Sequence, residues 1–97
     1  MGLEPEYKEK IVALLSALFP EAKIYLYGSR ARDKEMRASD IDIAIDEGKP
    51  IDFGRIGEAK DVLGALYIPY AIDLVDIHRV PQEMRNIIYK EGVVWKR

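Results

Sequence analysis

The chain has 97 residues, with 15 Lys and Arg against 17 Asp and Glu, a formal net charge of −2 and no cysteine. That near-balance argues against a bulk electrostatic binder of nucleic acid. The missing cysteine excludes disulfides, thiolate metal sites and cysteine nucleophiles. The length suits a single small domain, residues 1–97, which buries about 60–65% of its unfolded surface. No apolar run approaches the roughly 20 residues of a membrane span. The start, MGLEPEYKEK, is charged and lacks the apolar core of a signal peptide. A soluble, cytoplasmic protein is the expectation.

Tyr7, Ile11, Leu14, Leu15, Leu18 and Phe19 follow the spacing of one helix face. Glu4 and Glu6 suit the start of that helix and Pro20 marks its stop. AKIYLYG then reads as a strand ending at Gly28, with Ile24 and Leu26 facing one way and Tyr25 and Tyr27 the other. SDIDIAID alternates strictly, with Ile41, Ile43 and Ile45 opposite Asp40, Asp42, Ala44 and Asp46. A second helix is predicted from an Asp52 N-cap to about Tyr67, with Phe53, Ile56, Ala59, Leu63, Leu66 and Tyr67 inward. YAIDLVDI, Tyr70 to Ile77, is a third strand. Pro81 opens a third helix with Met84, Ile87 and Ile88 inward and Gly92 as its stop. VVW closes the sheet as a short fourth strand. The order α-β-β-α-β-α-β predicts an α+β, two-layer domain: a small mixed β-sheet with helices packed mainly on one face.

Chemistry concentrates around Asp40 and Asp42. Side chains two apart on a strand share a face, about 6.5–7 Å apart. Two close anions repel unless a cation intervenes, and all-oxygen carboxylate clusters suit Mg²⁺ or Mn²⁺, which also bind substrate phosphates. For an isolated D-x-D the wet face of an amphipathic strand is the better reading. Asp73, flanked by Ile72 and Leu74, shifts the balance, because a carboxylate in an apolar strand is costly to bury without a partner. If its strand lies beside the D-x-D strand, Asp73 joins the same cluster. Asp76 faces the other way and reads as a solvated strand end.

Gly28-Ser29 is the second feature. Glycine permits a tight turn and close backbone approach, and N–H groups with a hydroxyl at such a turn can cradle phosphate. Arg30 and Arg32 could pair with a triphosphate or be ordinary loop charges. The single histidine, His78, reads as structural or solvated. Ser16 and Ser39 have no histidine nearby in sequence to activate them, and Ser39 could instead cap or orient the start of the D-x-D strand. Trp95 and the tyrosines are most simply core or sheet-surface residues, although Tyr25 and Tyr27 could line a nucleotide pocket.

Together, Gly28-Ser29, Asp40-x-Asp42 and a later-strand Asp73 resemble the nucleotidyltransferase superfamily of DNA polymerase β, and most closely its minimal nucleotidyltransferases. GSRAR…SDIDIAI is similar to their signature, and the resemblance covers nearly the whole chain. Asp33 stands where family members often have glycine. The resemblance implies that Asp40, Asp42 and Asp73 are the catalytic and metal-binding carboxylates and that Gly28, Ser29, Arg30 and Arg32 bind the triphosphate. It implies transfer of a nucleoside monophosphate, AMP from ATP, with Mg²⁺ or Mn²⁺ as cofactor. Asp40 and Asp42 would bind both metal ions, and the ion shared with Asp73 would activate the acceptor hydroxyl.

The chain has no room for an acceptor-binding domain of its own, so a partner subunit or a second copy is expected to supply that surface. The resemblance implies a small all-α partner of the HEPN kind, with this chain as antitoxin of a toxin–antitoxin pair. Two other readings stand beside this one. One is a catalytically silent nucleotide-binding subunit that neutralises a helical partner. The other is transfer to a small-molecule hydroxyl.

Overall fold

Alternation and helical spacing resolve into the expected order of elements in the computed structural model, which describes residues 5–28 and 40–97. The elements are α1 (Pro5–Leu18), β1 (Lys23–Tyr27), β2 (Ile41–Asp46), α2 (Phe53–Gly64), β3 (Ile72–Asp76), α3 (Gln82–Glu91) and β4 (Val93–Lys96). The sheet order is β3-β2-β1-β4. β1 runs antiparallel to both β2 and β4, and β2 runs parallel to β3. This is the mixed sheet of an α+β fold. Among the described residues no helix is long and apolar enough to cross a membrane.

The alternation in β1 and β2 decides the layers. Ile24 and Leu26 of β1, Ile41, Ile43 and Ile45 of β2, and Leu74 of β3 form one buried face. Ile11 and Leu15 of α1 and Ile56, Ala59 and Leu63 of α2 cover it. Each isoleucine or leucine among them contributes about 1.5–3 kcal/mol on burial. The opposite face holds a smaller cluster of Tyr25, Ala44, Ile77 and Ile88, with Ile88 supplied by α3. Two helices therefore cover one face, and α3 alone lies on the other.

Three expectations from helical spacing need correction. Phe53 and Tyr67 do not face inward from α2; they are 74% and 95% exposed. Phe53 is the first residue of the helix, and its ring instead lies under the Arg79 guanidinium at 4.1 Å. Tyr67 lies beyond the helix end, where the 3.6-residue period no longer applies. In α3 the inward stripe is narrower than predicted: Met84 and Ile88 pack inward, while Ile87 is 53% exposed. Asp52 does occupy the N-cap of α2, but through its carbonyl, which accepts the N–H groups of Arg55 and Ile56, rather than through its side chain.

Asp76 is the other correction. Expected as a solvated strand end, it is 5% exposed. Its carboxylate accepts the Ile51 N–H at 2.7 Å and the His78 N–H at 2.9 Å, with Arg79 Nε 3.6 Å away. Buried backbone donors need partners, and Asp76 serves two of them, joining the chain before α2 to the end of β3. Asp76→Ala leaves both without this acceptor, at about 1–3 kcal/mol for each donor left buried. Urea unfolding should show a clearly lowered midpoint for Asp76→Ala and a smaller loss for Asp76→Asn, which keeps one acceptor oxygen. Equal midpoints for Asp76→Ala and wild type would assign Asp76 no part in stability.

Candidate active site

Among the described residues, α3 covers one end of the face that it lies on. There Tyr25 stacks edge-on against Tyr89 of α3, 5.9 Å between ring centres, and the Tyr89 hydroxyl donates to Asp46 Oδ2 at 3.2 Å. Asp46 also accepts the Gly48 N–H at 2.8 Å and pairs with His78 Nε2 at 2.7 Å. Burial pushes the Asp46 carboxyl up, but the Gly48 N–H, His78 and Tyr89 together hold it below the ordinary carboxylate range. His78 is thus structural, tying the turn after β3 to the end of β2.

The other end of the same face carries Tyr27, Asp42 and Asp73. Tyr27 of β1 is the register partner of Asp42 of β2, and Asp42 is the register partner of Asp73 of β3. Neighbouring strands lie about 4.8 Å apart, so the parallel pairing sets the two carboxylates side by side. Asp42 is half-buried. Asp73 is exposed, so no burial penalty arises where the sequence suggested one. Asp40 is exposed immediately before β2. The β2–β3 pairing extends toward it, since the Ile41 N–H donates to the Ala71 carbonyl at 2.8 Å.

Gly28 closes the site from the β1 side. Its φ is +79°, and a Cβ placed there would lie 2.5 Å from Asp42 Oδ2. The backbone of the turn therefore rests against the Asp42 carboxylate, at a φ that favours glycine. Ser29, Arg30 and Arg32, together with Asp33 and Ser39, lie outside the described residues.

Two further observations define the electrostatics. The Tyr27 phenol is pushed up to about 12, first by burial and then by Asp42 and Asp73. Sequence reading left Tyr27 as a core, sheet-surface or pocket-lining residue. Its place beside Gly28 was a signal, but only the register with Asp42 makes it specific. Among the described residues, no three His, Cys, Asp or Glu side chains are gathered closely enough to hold a metal ion. What the strands juxtapose is the Asp42–Asp73 pair, with Asp40 at its mouth. The donors are all carboxylate oxygens, which fits a hard divalent ion such as Mg²⁺ or Mn²⁺ and not a thiolate- or imidazole-seeking one.

A family model described as polymerase beta nucleotidyltransferase matches residues 9–96. The chain belongs to that family. It is 31% identical over 94 residues to "Probable protein adenylyltransferase MntA" of Haemophilus influenzae, covering 97% of this chain and 82% of that protein. Its fold is similar to a chain of a toxin–antitoxin structure with AMP-PNP, at a TM-score of 0.78 and 28% identity, covering 91% of this chain and 71% of that one. It is likewise similar to a chain of the toxin–antitoxin MntA–HepT, at a TM-score of 0.74 and 25% identity, covering 95% and 71%. The nucleotidyltransferase thus presents its carboxylate pair on the strands of a fold shared with proteins of that activity.

Proposed function

We propose that this nucleotidyltransferase moves AMP from ATP to a hydroxyl of a small helical partner protein of the HEPN kind, acting in the cytoplasm as the antitoxin of a pair. The observation that carries the reading is the side-by-side placement of Asp42 and Asp73 on neighbouring strands, with the Gly28 turn packed against Asp42. The 31%-identical protein is called a protein adenylyltransferase, and a 28%-identical chain comes from a toxin–antitoxin structure with AMP-PNP. Both names agree with this choice of nucleotide and acceptor.

The Asp42–Asp73 pair, with Asp40 beside it, would hold Mg²⁺ or Mn²⁺ together with phosphate oxygens of the substrate, and the ion would supply charge neutralisation at the attacking and leaving oxygens. Gly28, by giving up a side chain, lets the turn backbone approach, so that N–H groups there, with Ser29, Arg30 and Arg32, receive the β- and γ-phosphates. Asp42 sits between the phosphate turn and Asp73 and so belongs to both halves of the reaction. Asp73, exposed at the strand farther from Gly28, orients the acceptor hydroxyl toward the α-phosphorus and favours loss of its proton. The new phosphoester bond forms as the α–β phosphoanhydride breaks, and pyrophosphate leaves.

The described fold supplies carboxylates and a turn, while positioning of two reactants accounts for roughly 7–11 kcal/mol of such barriers. A docked partner is the source of that positioning. The test is incubation with ATP and Mg²⁺, with and without the product of the adjacent gene, followed by mass spectrometry. A mass gain of AMP on the partner is expected, nearly abolished by Asp73→Asn while metal–ATP binding falls only modestly. A partner that binds without modification would favour the silent-subunit reading. Efficient transfer to a free sugar or antibiotic without a partner would overturn the protein acceptor.

A further inference from the structure

We propose that α3 is a strap that opens on its own over the sheet and is fastened by the Asp46 carboxylate, so that part of the face carrying Asp42 and Asp73 can be uncovered while the strand register that pairs them stays intact. The inference concerns the movement of α3. It does not depend on which molecule accepts the nucleotide.

Packing holds α3 less firmly than the other helices. It fully buries one side chain, Ile88, whereas α1 buries Ile11 and Leu15 and α2 buries Ile56, Ala59 and Leu63. Its Ile87 and Tyr89 are 53% and 47% exposed. Elements with few buried apolar contacts open at lower free energy than the core. Both ends of α3 stay attached: the turn after β3 leads into it, and Gly92 leads directly into β4, which pairs with β1. The β1–β2 and β2–β3 ladders run through backbone that α3 does not supply. The helix can therefore lift between its two ends without unpairing Asp42 from Asp73.

Polar contacts complete the attachment. Arg85 Nε donates to the Ile77 carbonyl at 2.9 Å, which ties α3 to the turn before it. The Tyr89 hydroxyl donates to Asp46 Oδ2 at 3.2 Å, which ties α3 to β2. That distance is long for a hydroxyl donor, as suits a contact that releases readily. Asp46 itself is fixed from the other side. Its Oδ1 takes the Gly48 N–H at 2.8 Å and pairs with His78 Nε2 at 2.7 Å, which leaves Oδ2 aimed at Tyr89. His78 thus acts on α3 through the orientation of Asp46. Asp42, Ala44 and Asp46 alternate along one face of β2, so the fastening point lies on the strand that carries the candidate catalytic acid.

Hydrogen exchange of the full chain, read amide by amide, tests the proposal in Tyr89→Phe, His78→Leu and the double variant. In the wild type the hydrogen-bonded amides of α3 are expected to exchange faster than those of β1 and β2. Tyr89→Phe keeps the ring and removes the hydroxyl, and it is expected to speed exchange in α3 about three- to tenfold while β1 and β2 keep their rates. His78→Leu is expected to speed α3 as well. Because both act through Asp46, the double variant should fall short of the product of the two single effects. Wild-type α3 amides that exchange together with the strands overturn the separate opening. Tyr89→Phe that leaves α3 unchanged, or speeds the strands equally, overturns the fastening. A double variant that reaches the full product overturns the route through Asp46.

Discussion

Asp42→Asn is expected to fold as the wild type does and to lose both metal-dependent ATP binding and transfer. The substitution is nearly isosteric, and the strand pairing of β2 with β1 and β3 runs through backbone groups that it does not touch. What disappears is the charge at a carboxylate that adjoins both the Gly28 turn and Asp73. An amide oxygen is a weaker ligand for a hard cation than a carboxylate, and it neutralises nothing. Metal stabilisation of a transferring phosphoryl group amounts to several kcal/mol. A loss of about 4 kcal/mol corresponds to about a thousandfold in rate. Titration of ATP with and without Mg²⁺ separates the two effects. Wild type should bind far more tightly with metal, whereas Asp42→Asn should show little metal dependence. A wild type indifferent to metal would remove the carboxylates from triphosphate binding altogether.

Gly28→Ala attacks the same site from the backbone. An alanine at φ +79° costs about 1–2 kcal/mol in conformational strain. Its Cβ would also press to 2.5 Å from Asp42 Oδ2, so either the turn or the carboxylate must shift. The chain carries its own control. Gly48 has a similar φ, +89°, but nothing lies within 4 Å of a Cβ built there. Gly48→Ala should therefore show the strain without the collision. Both variants are expected to unfold at lower denaturant concentration, and Gly28→Ala alone is expected to lose transfer, by about a hundredfold for a displacement near 1 Å. Equal activity in the two variants would show that the turn's approach to Asp42 has no bearing on chemistry.

The order of elements was legible because periodicity is a local property. Strict alternation from Asp40 to Asp46 separates the isoleucines from the acids, and i, i+4 spacing marks Ile11 and Leu15. Pairing was not legible in the same way. Nothing in SDIDIAID or AIDLVD states that the two runs lie parallel, and only that register makes neighbours of Asp42 and Asp73. Where sequence reasoning erred, it extended a period past the element that owns it. Phe53 sits at the very start of α2 and Tyr67 past its end, so neither is held on the inner face. Asp76 was misjudged for another reason: its partners, the N–H groups of Ile51 and His78, belong to backbone whose path no pattern of side chains reveals.

The parallel junction of β2 and β3 also governs when the molecule acquires its chemistry. Antiparallel neighbours such as β1 and β2 can pair directly, but parallel strands need a crossover, here built from α2. Closing that longer excursion costs chain entropy before any contact rewards it, which makes such pairings slow to form. A chain caught with only β1 and β2 joined already holds Gly28 beside Asp42, and so half of the proposed phosphate and metal site. It has not yet docked Asp73, the residue proposed to direct an acceptor. The two carboxylates meet only when the non-local strand docks, so under the proposed mechanism a half-folded molecule is denied the reaction, and competence arrives together with the completed sheet.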